Sequence, residues 1–155
     1  MRPTTAATAV LDAAGAPYRL VHHGDVRSVE EAAIRRGTTP GRIAKTLVIR
    51  VTAGEHILVL VPGDSGLDYP KLRSLLGVRR LTMPSPEEAR AVTGYERGTI
   101  TPLGAGLPVF IDGRLTDHEE ISLGSGAPGW AIHLSPADLV STVGARVVDV
   151  AQDPG

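Results

Sequence analysis

Two aliphatic runs, Thr46-Leu-Val-Ile-Arg-Val51 and Ile57-Leu-Val-Leu-Val61, stand almost back to back in this chain. β-branched and aliphatic residues at this density favour extended backbone. The short link Thr52-Ala-Gly-Glu55 leaves room only for an antiparallel return, because a parallel pairing needs a crossover of a dozen residues or more. The sequence therefore predicts a β-hairpin over residues 46–61, closed by Pro62-Gly63-Asp64.

Helix signals surround the hairpin. Residues 5–14 carry an apolar stripe (Ala6, Ala7, Val10, Leu11, Ala14) that stops at Gly15. Ser28-Val-Glu-Glu31 reads as a capping box opening a helix that ends near Gly37. Asp68 and Pro70 open a third helix, Ser85-Pro86-Glu87-Glu88 a fourth, and Ser135-Pro136-Ala-Asp138 a last one to about Val143. Further strands are expected at 18–22, 79–81, 109–111, 121–123, 130–134 and 147–150, with a frayed tail over 152–155. Hairpins mixed with helices, with no βαβ series, make the class α+β with a mixed, curved sheet flanked by helices, in a single domain over 1–155.

Composition excludes several chemistries. There is no cysteine, hence no thiol nucleophile, thiolate-held zinc or disulfide framework. The five histidines show no HExxH spacing, and no Gly-x-Ser-x-Gly elbow occurs. Asp117-His118-Glu119-Glu120 is read as a solvated turn, since adjacent residues do not usually converge on one ion. No metal and no cofactor is expected. Sixteen basic against seventeen acidic residues argue against a broad nucleic-acid-coating surface but permit a compact contact with one RNA end. No apolar run suits a membrane span, and the N-terminus shows no signal-peptide core; a cytoplasmic protein is expected.

Three features offer chemistry. Lys45 opens the first hairpin strand, where a lysine can hold a phosphate or a carbonyl oxygen as a point charge, although a solvated strand-end lysine is the commoner case. Gly98-Thr-Ile-Thr-Pro-Leu-Gly104 can expose backbone N–H groups to an anion or oxyanion, or be only a turn. Gly124-Ser125-Gly126 is a second such turn. His133, on a strand before Ser135, is either an inward polar residue near a pocket or, more commonly, a partly exposed strand histidine.

In order and spacing these segments resemble one family. Lys45-Thr-Leu-Val48, Val59-Leu-Val-Pro-Gly-Asp64, Thr93-Gly-Tyr-Glu-Arg-Gly-Thr-Ile-Thr-Pro-Leu-Gly104, Pro108-Val-Phe-Ile-Asp112 and Ser135-Pro-Ala-Asp-Leu139 are similar to signatures of YbaK proteins and the prolyl-tRNA-synthetase-associated editing domain. The resemblance covers about residues 5–150 and implies a mixed-strand, barrel-like, partly open sheet with flanking helices. It implies a trans-acting deacylase that hydrolyses the ester of mischarged tRNA, with tRNA(Pro) carrying Cys or Ala as candidate substrate. Positioning and oxyanion stabilisation supply much of the rate for such an activated ester, and in the family the substrate's own ribose hydroxyl or thiol is thought to assist.

By the same resemblance, Lys45, Gly98, Thr99 and Gly104 form the catalytic set. Lys45 would contact the terminal adenosine or its phosphate, and the 98–104 backbone would hold the aminoacyl carbonyl. Thr46, Thr101, Pro102, Gly124, Ser125, Gly126, His133, His23 and Ser28 would complete the substrate pocket. The implied partners are the acceptor end of aminoacyl-tRNA and a prolyl-tRNA synthetase in a transient complex, with the chain a monomer. Gly98-Thr99 departs from the family's Gly-Gly, and Gly124-Ser125-Gly126 from its Ser-Gly-Gly or Ser-Ala-Gly. A non-catalytic module binding tRNA ends or a synthetase is the competing reading.

Overall fold

The computed structural model describes residues 2–52 and 54–153. The hairpin forms as expected. Strands β2 (Ala44–Thr52) and β3 (Glu55–Pro62) pair antiparallel, with Lys45 opposite Val61 and Ile49 opposite Ile57. The 52–55 link includes Ala53, which lies outside the described residues.

The chain is α+β, but its strands form two sheets rather than one. Strands β1 (Arg19–His22), β6 (Trp130–Leu134) and β5 (Ile121–Gly124) make an antiparallel three-stranded sheet in the order β1-β6-β5. The hairpin extends in parallel through β4 (Val109–Asp112) to β7 (Arg146–Val148), giving the order β2-β3-β4-β7. One bridge, Ile43 to Ser122, joins the two sheets in parallel sense. Beyond it β2 and β5 separate, so the barrel stays open along that seam.

The helices are α1 (Ala6–Ala14), α2 (Val29–Arg36), α3 (Tyr69–Leu76), α4 (Pro86–Thr93), the single turn α5 (Gly113–Thr116) and α6 (Pro136–Val143). Asp68, Ser85 and Ser135 cap α3, α4 and α6, each accepting the backbone N–H three residues on. The main core lies between the sheets, with Leu58, Leu60, Ile111, Leu123 and Ile132 fully buried; Ile49, Val59, Val61 and Leu72 fill a second core on the hairpin's other face. Strand alternation sends Ala44 and Val48 to the first core and Leu47 and Ile49 to the second.

Three further expectations need correction. Residues 79–81 form no strand: only Thr82 pairs, as an isolated bridge to Arg50, because the segment reaches the sheet at one point. Ser28 caps α2 through Glu31 N–H, but the Glu31 carboxylate accepts from Arg27 N–H instead of returning to Ser28, so the box is half made. The reciprocal box is at Thr5 and Thr8. Gln152 is not frayed: its N–H donates to Gly66 O at 2.8 Å, and its carbonyl accepts from Ser65 Oγ at 3.0 Å. Residues 154–155 of that tail lie outside the described residues.

The segment behind Gln152 is held by Asp112, whose carboxylate accepts the N–H groups of Val150 and Ala151 at 2.9 and 2.8 Å and that of Arg114 at 2.9 Å.

Candidate active site

A cleft of about 540 Å³ opens where β2 leaves β5. Ile43, Ala44, Thr46 and Val48 form one wall, Gly98, Ile100 and Gly124 the second, and Met83, Pro84 and the start of α4 the third. Lys45, Thr46, Gly98 and Gly124 are thus brought together by the fold, though far apart in sequence. The cleft is largely apolar; its charged lining residues, Arg36, Lys45 and Arg97, are all cations.

Lys45 stands at the head of β2 on the face of Leu47 and Ile49, and its ammonium donates to the Ser65 carbonyl. Ser65 belongs to an adjacent cleft lined by Asp64, Gly66, Arg114 and Gln152, so Lys45 spans the partition between the two. An ammonium carries three donors, and one is used here. On the other face, the Thr46 hydroxyl is buried without a hydrogen-bond partner.

The two glycine-rich segments make one unit. Gly126 N–H donates to Thr99 O at 3.0 Å. A Cβ at Gly124 would lie 2.6 Å from Ile100 O and 3.0 Å from Thr99 O, so this position takes only glycine without displacing the loop. Gly126 has φ +85, and a Cβ there would meet the Tyr95 ring at 2.7 Å. The Tyr95 hydroxyl donates to Leu103 O beneath the loop, and burial pushes its pKa up. Gly98, at φ +86 and exposed, opens to the cleft.

Several expected site residues support this unit from beneath. Thr99 bonds Glu96 O, Thr101 accepts from Leu103 N–H, and both are buried, as is Pro102. Ser125 is fully buried and bonds Trp130 O at 2.8 Å. Gly104 lies against Tyr95 and Ala6 and does not line the cleft.

His133 is buried, not partly exposed, because β6 is the central strand of its sheet. Its Nδ1 lies 3.2 Å from Arg19 Nη2 and 3.3 Å from Glu120 Oε1, while Nε2 has no partner. Burial pushes its pKa down, more than Glu120 raises it. His23 contacts Gly24 O, and burial with the nearby Arg36 lowers it too. Glu120 is held by Arg19 at 2.8 Å, while Asp117 and Glu119 are exposed. Among the described residues, no group of three or more His, Asp or Glu side chains is placed to hold a metal ion.

Arg36 lines the cleft and was not singled out in the sequence. A signal existed: it follows the buried Ala32 and Ala33 by four and three positions, placing a cation on the apolar face of α2.

Residues 23–142 match the family model described as "Aminoacyl-tRNA editing domain". The chain belongs to this family. It is 31% identical over 138 residues to the "Multifunctional Ser/Thr-tRNA deacylase ProXp-y" of Escherichia coli, covering 85% of this chain and 83% of that one. It is 27% identical over 135 residues to the "Putative Cys-tRNA(Pro)/Cys-tRNA(Cys) deacylase EbsC" of Enterococcus faecalis, covering 86% and 82%. A solved structure described as "a putative trans-editing enzyme for prolyl tRNA synthetase" superposes with a TM-score of 0.86 at 30% identity, over 98% of this chain and all of that one. Among the described residues no helix is long and apolar enough to cross a membrane.

Proposed function

We propose that this chain is a trans-acting aminoacyl-tRNA deacylase of the cytoplasm, acting as one domain on tRNA(Pro) charged with a small amino acid such as Cys or Ala. The chain is an aminoacyl-tRNA hydrolase, and its substrate is a tRNA acceptor end. The observation that carries this reading is the cleft itself. In a chain of the editing family, it gathers Lys45, Gly98 and Gly124 beside an apolar wall, and its volume is in the usual range for small-molecule sites.

In this reading the apolar wall at Ala44, Val48 and Ile100 receives a small side chain. The ammonium of Lys45 and the backbone at Gly98 fix the acceptor end so that water meets the ester carbon. Positioning, with donors aimed at the developing oxyanion, supplies the rate. A prolyl-tRNA synthetase is the partner that would deliver the substrate in a transient complex. The relatives named for Ser/Thr and Cys deacylation put Ser and Thr beside Cys and Ala as candidates.

The test is a deacylation panel with purified tRNA(Pro) charged with Cys, Ala, Ser and Thr. Hydrolysis of at least one, and loss of most of it in a folded Lys45→Ala variant, is expected. No hydrolysis above background across the panel would sink the enzyme reading. That result would favour a binding module, in which Lys45 keeps its ammonium on the Ser65 carbonyl.

A further inference from the structure

Arg36 is a half-buried cation with no counter-ion among the described residues. The last residue of α2, it points into the cleft wall and donates from Nη1 to Ser122 Oγ at 3.2 Å. Its Nε is buried without a partner, Nη2 makes no hydrogen bond, and no carboxylate lies within ion-pairing distance among the described residues. The titratable groups around it add no negative charge. Burial holds His23 and His133 toward the neutral form and the positive charge of Arg36 acts in the same sense, while Glu120 behind them is engaged by Arg19. Burial lowers the pKa of the guanidinium itself. An uncompensated buried charge is strongly unfavourable, and partly buried arginines are ordinarily paired. Ser122 orients the guanidinium without neutralising it.

We propose that Arg36 is an anion-binding point on the inner wall of the cleft, taking an oxygen-centred anion of the substrate through Nη2. The inference rests on the deacylase reading for its substrate. Such a substrate has two sources of the anion. One is the phosphodiester at the 5′ side of the terminal adenosine. The other is the oxyanion formed during hydrolysis. Water adds to the ester carbon and gives up a proton to solvent, and the carbonyl electron pair moves onto oxygen. When that pair returns, the bond to the ribose oxygen breaks. The ribose oxygen recovers a proton, leaving free amino acid and uncharged tRNA.

The experiment compares wild type with Arg36→Gln and Arg36→Lys in the full chain, by thermal unfolding and by kinetics. Two substrates are used: aminoacyl-tRNA, and 3′-O-aminoacyl adenosine, which carries no phosphate. Arg36→Gln should keep or raise the melting temperature, because it removes an unpaired, half-buried charge, while kcat/KM on aminoacyl-tRNA falls by roughly 100-fold. Arg36→Lys should recover part of that loss. If the anion is the phosphodiester, the defect lies in KM and disappears with aminoacyl adenosine. If it is the oxyanion, the defect lies in kcat and persists with both substrates. Wild-type kinetics in Arg36→Gln, or a clear fall in melting temperature accompanying lost activity, would overturn the assignment. Calorimetry with adenosine 5′-monophosphate separates this inference from the deacylase reading. If wild type hydrolyses no substrate but binds the nucleotide in an Arg36-dependent way, the reading falls and the anion site stands. If it neither hydrolyses nor binds, both fall.

Discussion

Gly124→Ala is the sharpest test of the idea that the two glycine segments form one cleft wall. The added methyl would lie 2.6 Å from the Ile100 carbonyl oxygen and 3.0 Å from that of Thr99. To restore even 3.0 Å, the Ile100 carbonyl must retreat by roughly 0.4 Å, and ordinary contact needs about twice that. The loop cannot yield cheaply, because Thr99 O accepts Gly126 N–H and Leu103 O accepts the Tyr95 hydroxyl. Overpacking of this kind costs about 1–3 kcal/mol, which for a chain of this size lowers Tm by about 3–9 °C. Ile100 lines the cleft, so deacylation should suffer beyond what the lost stability explains. Measured well below Tm, where the variant is folded, kcat/KM should fall about tenfold or more, as small misplacements in an active site do. The assays are calorimetric or circular-dichroism melting and initial-rate deacylation on one substrate. A Tm within a degree of wild type together with unchanged kcat/KM would refute the close approach of the two segments.

Two further predictions concern the frame. Asp112→Ala leaves the Val150 and Ala151 N–H groups buried without acceptors, at about 1–3 kcal/mol each; the urea midpoint should drop accordingly with m unchanged, and an unmoved midpoint would remove Asp112 from the frame. Burial lowers His133 below its ordinary pKa of 6.5, so below about pH 6.5 the unfolded chain takes up a proton that the native state refuses. This contribution to stability is fully present above about pH 6.5 and declines as pH falls through the lowered native value. His133→Gln should flatten that decline in urea midpoints measured from about pH 5 to 8, leaving the part due to His23, which burial lowers in the same sense; parallel curves would contradict it.

What was legible in the sequence was what local chemistry decides. The caps at Asp68, Ser85 and Ser135 depend on a side chain and an N–H three residues away, and all three formed as read. The β2–β3 hairpin needed only its own residues. The split into two sheets was not legible, because β1 finds β6 across more than a hundred residues, and nothing near Arg19 encodes His133 as its partner. The same distance hid the roles of Ser125 and Thr101, which read as pocket residues and turn out to be enclosed beneath it. Residues 79–81 read as a short strand, but pairing there is limited to the single Thr82–Arg50 bridge just beyond them. Lys45 was found as a strand-end cation, whereas its Ser65 acceptor emerges only from the fold. Arg36 was readable on the apolar face of α2, but a single half-buried arginine carries meaning only once no ion-pairing carboxylate is found among the described residues.

The family match ends at residue 142, yet the folded unit does not. Strand β7 covers β4, and Val150 and Ala151 are fully buried beside it. A chain cut at the end of the match would turn Val109–Asp112, four buried residues, into a bare sheet margin. Such a margin is a template onto which a neighbouring molecule's strand can add. Residues 146–151, beyond the family match, thus shield an otherwise bare β4 edge, and a domain boundary drawn from that match alone would discard them.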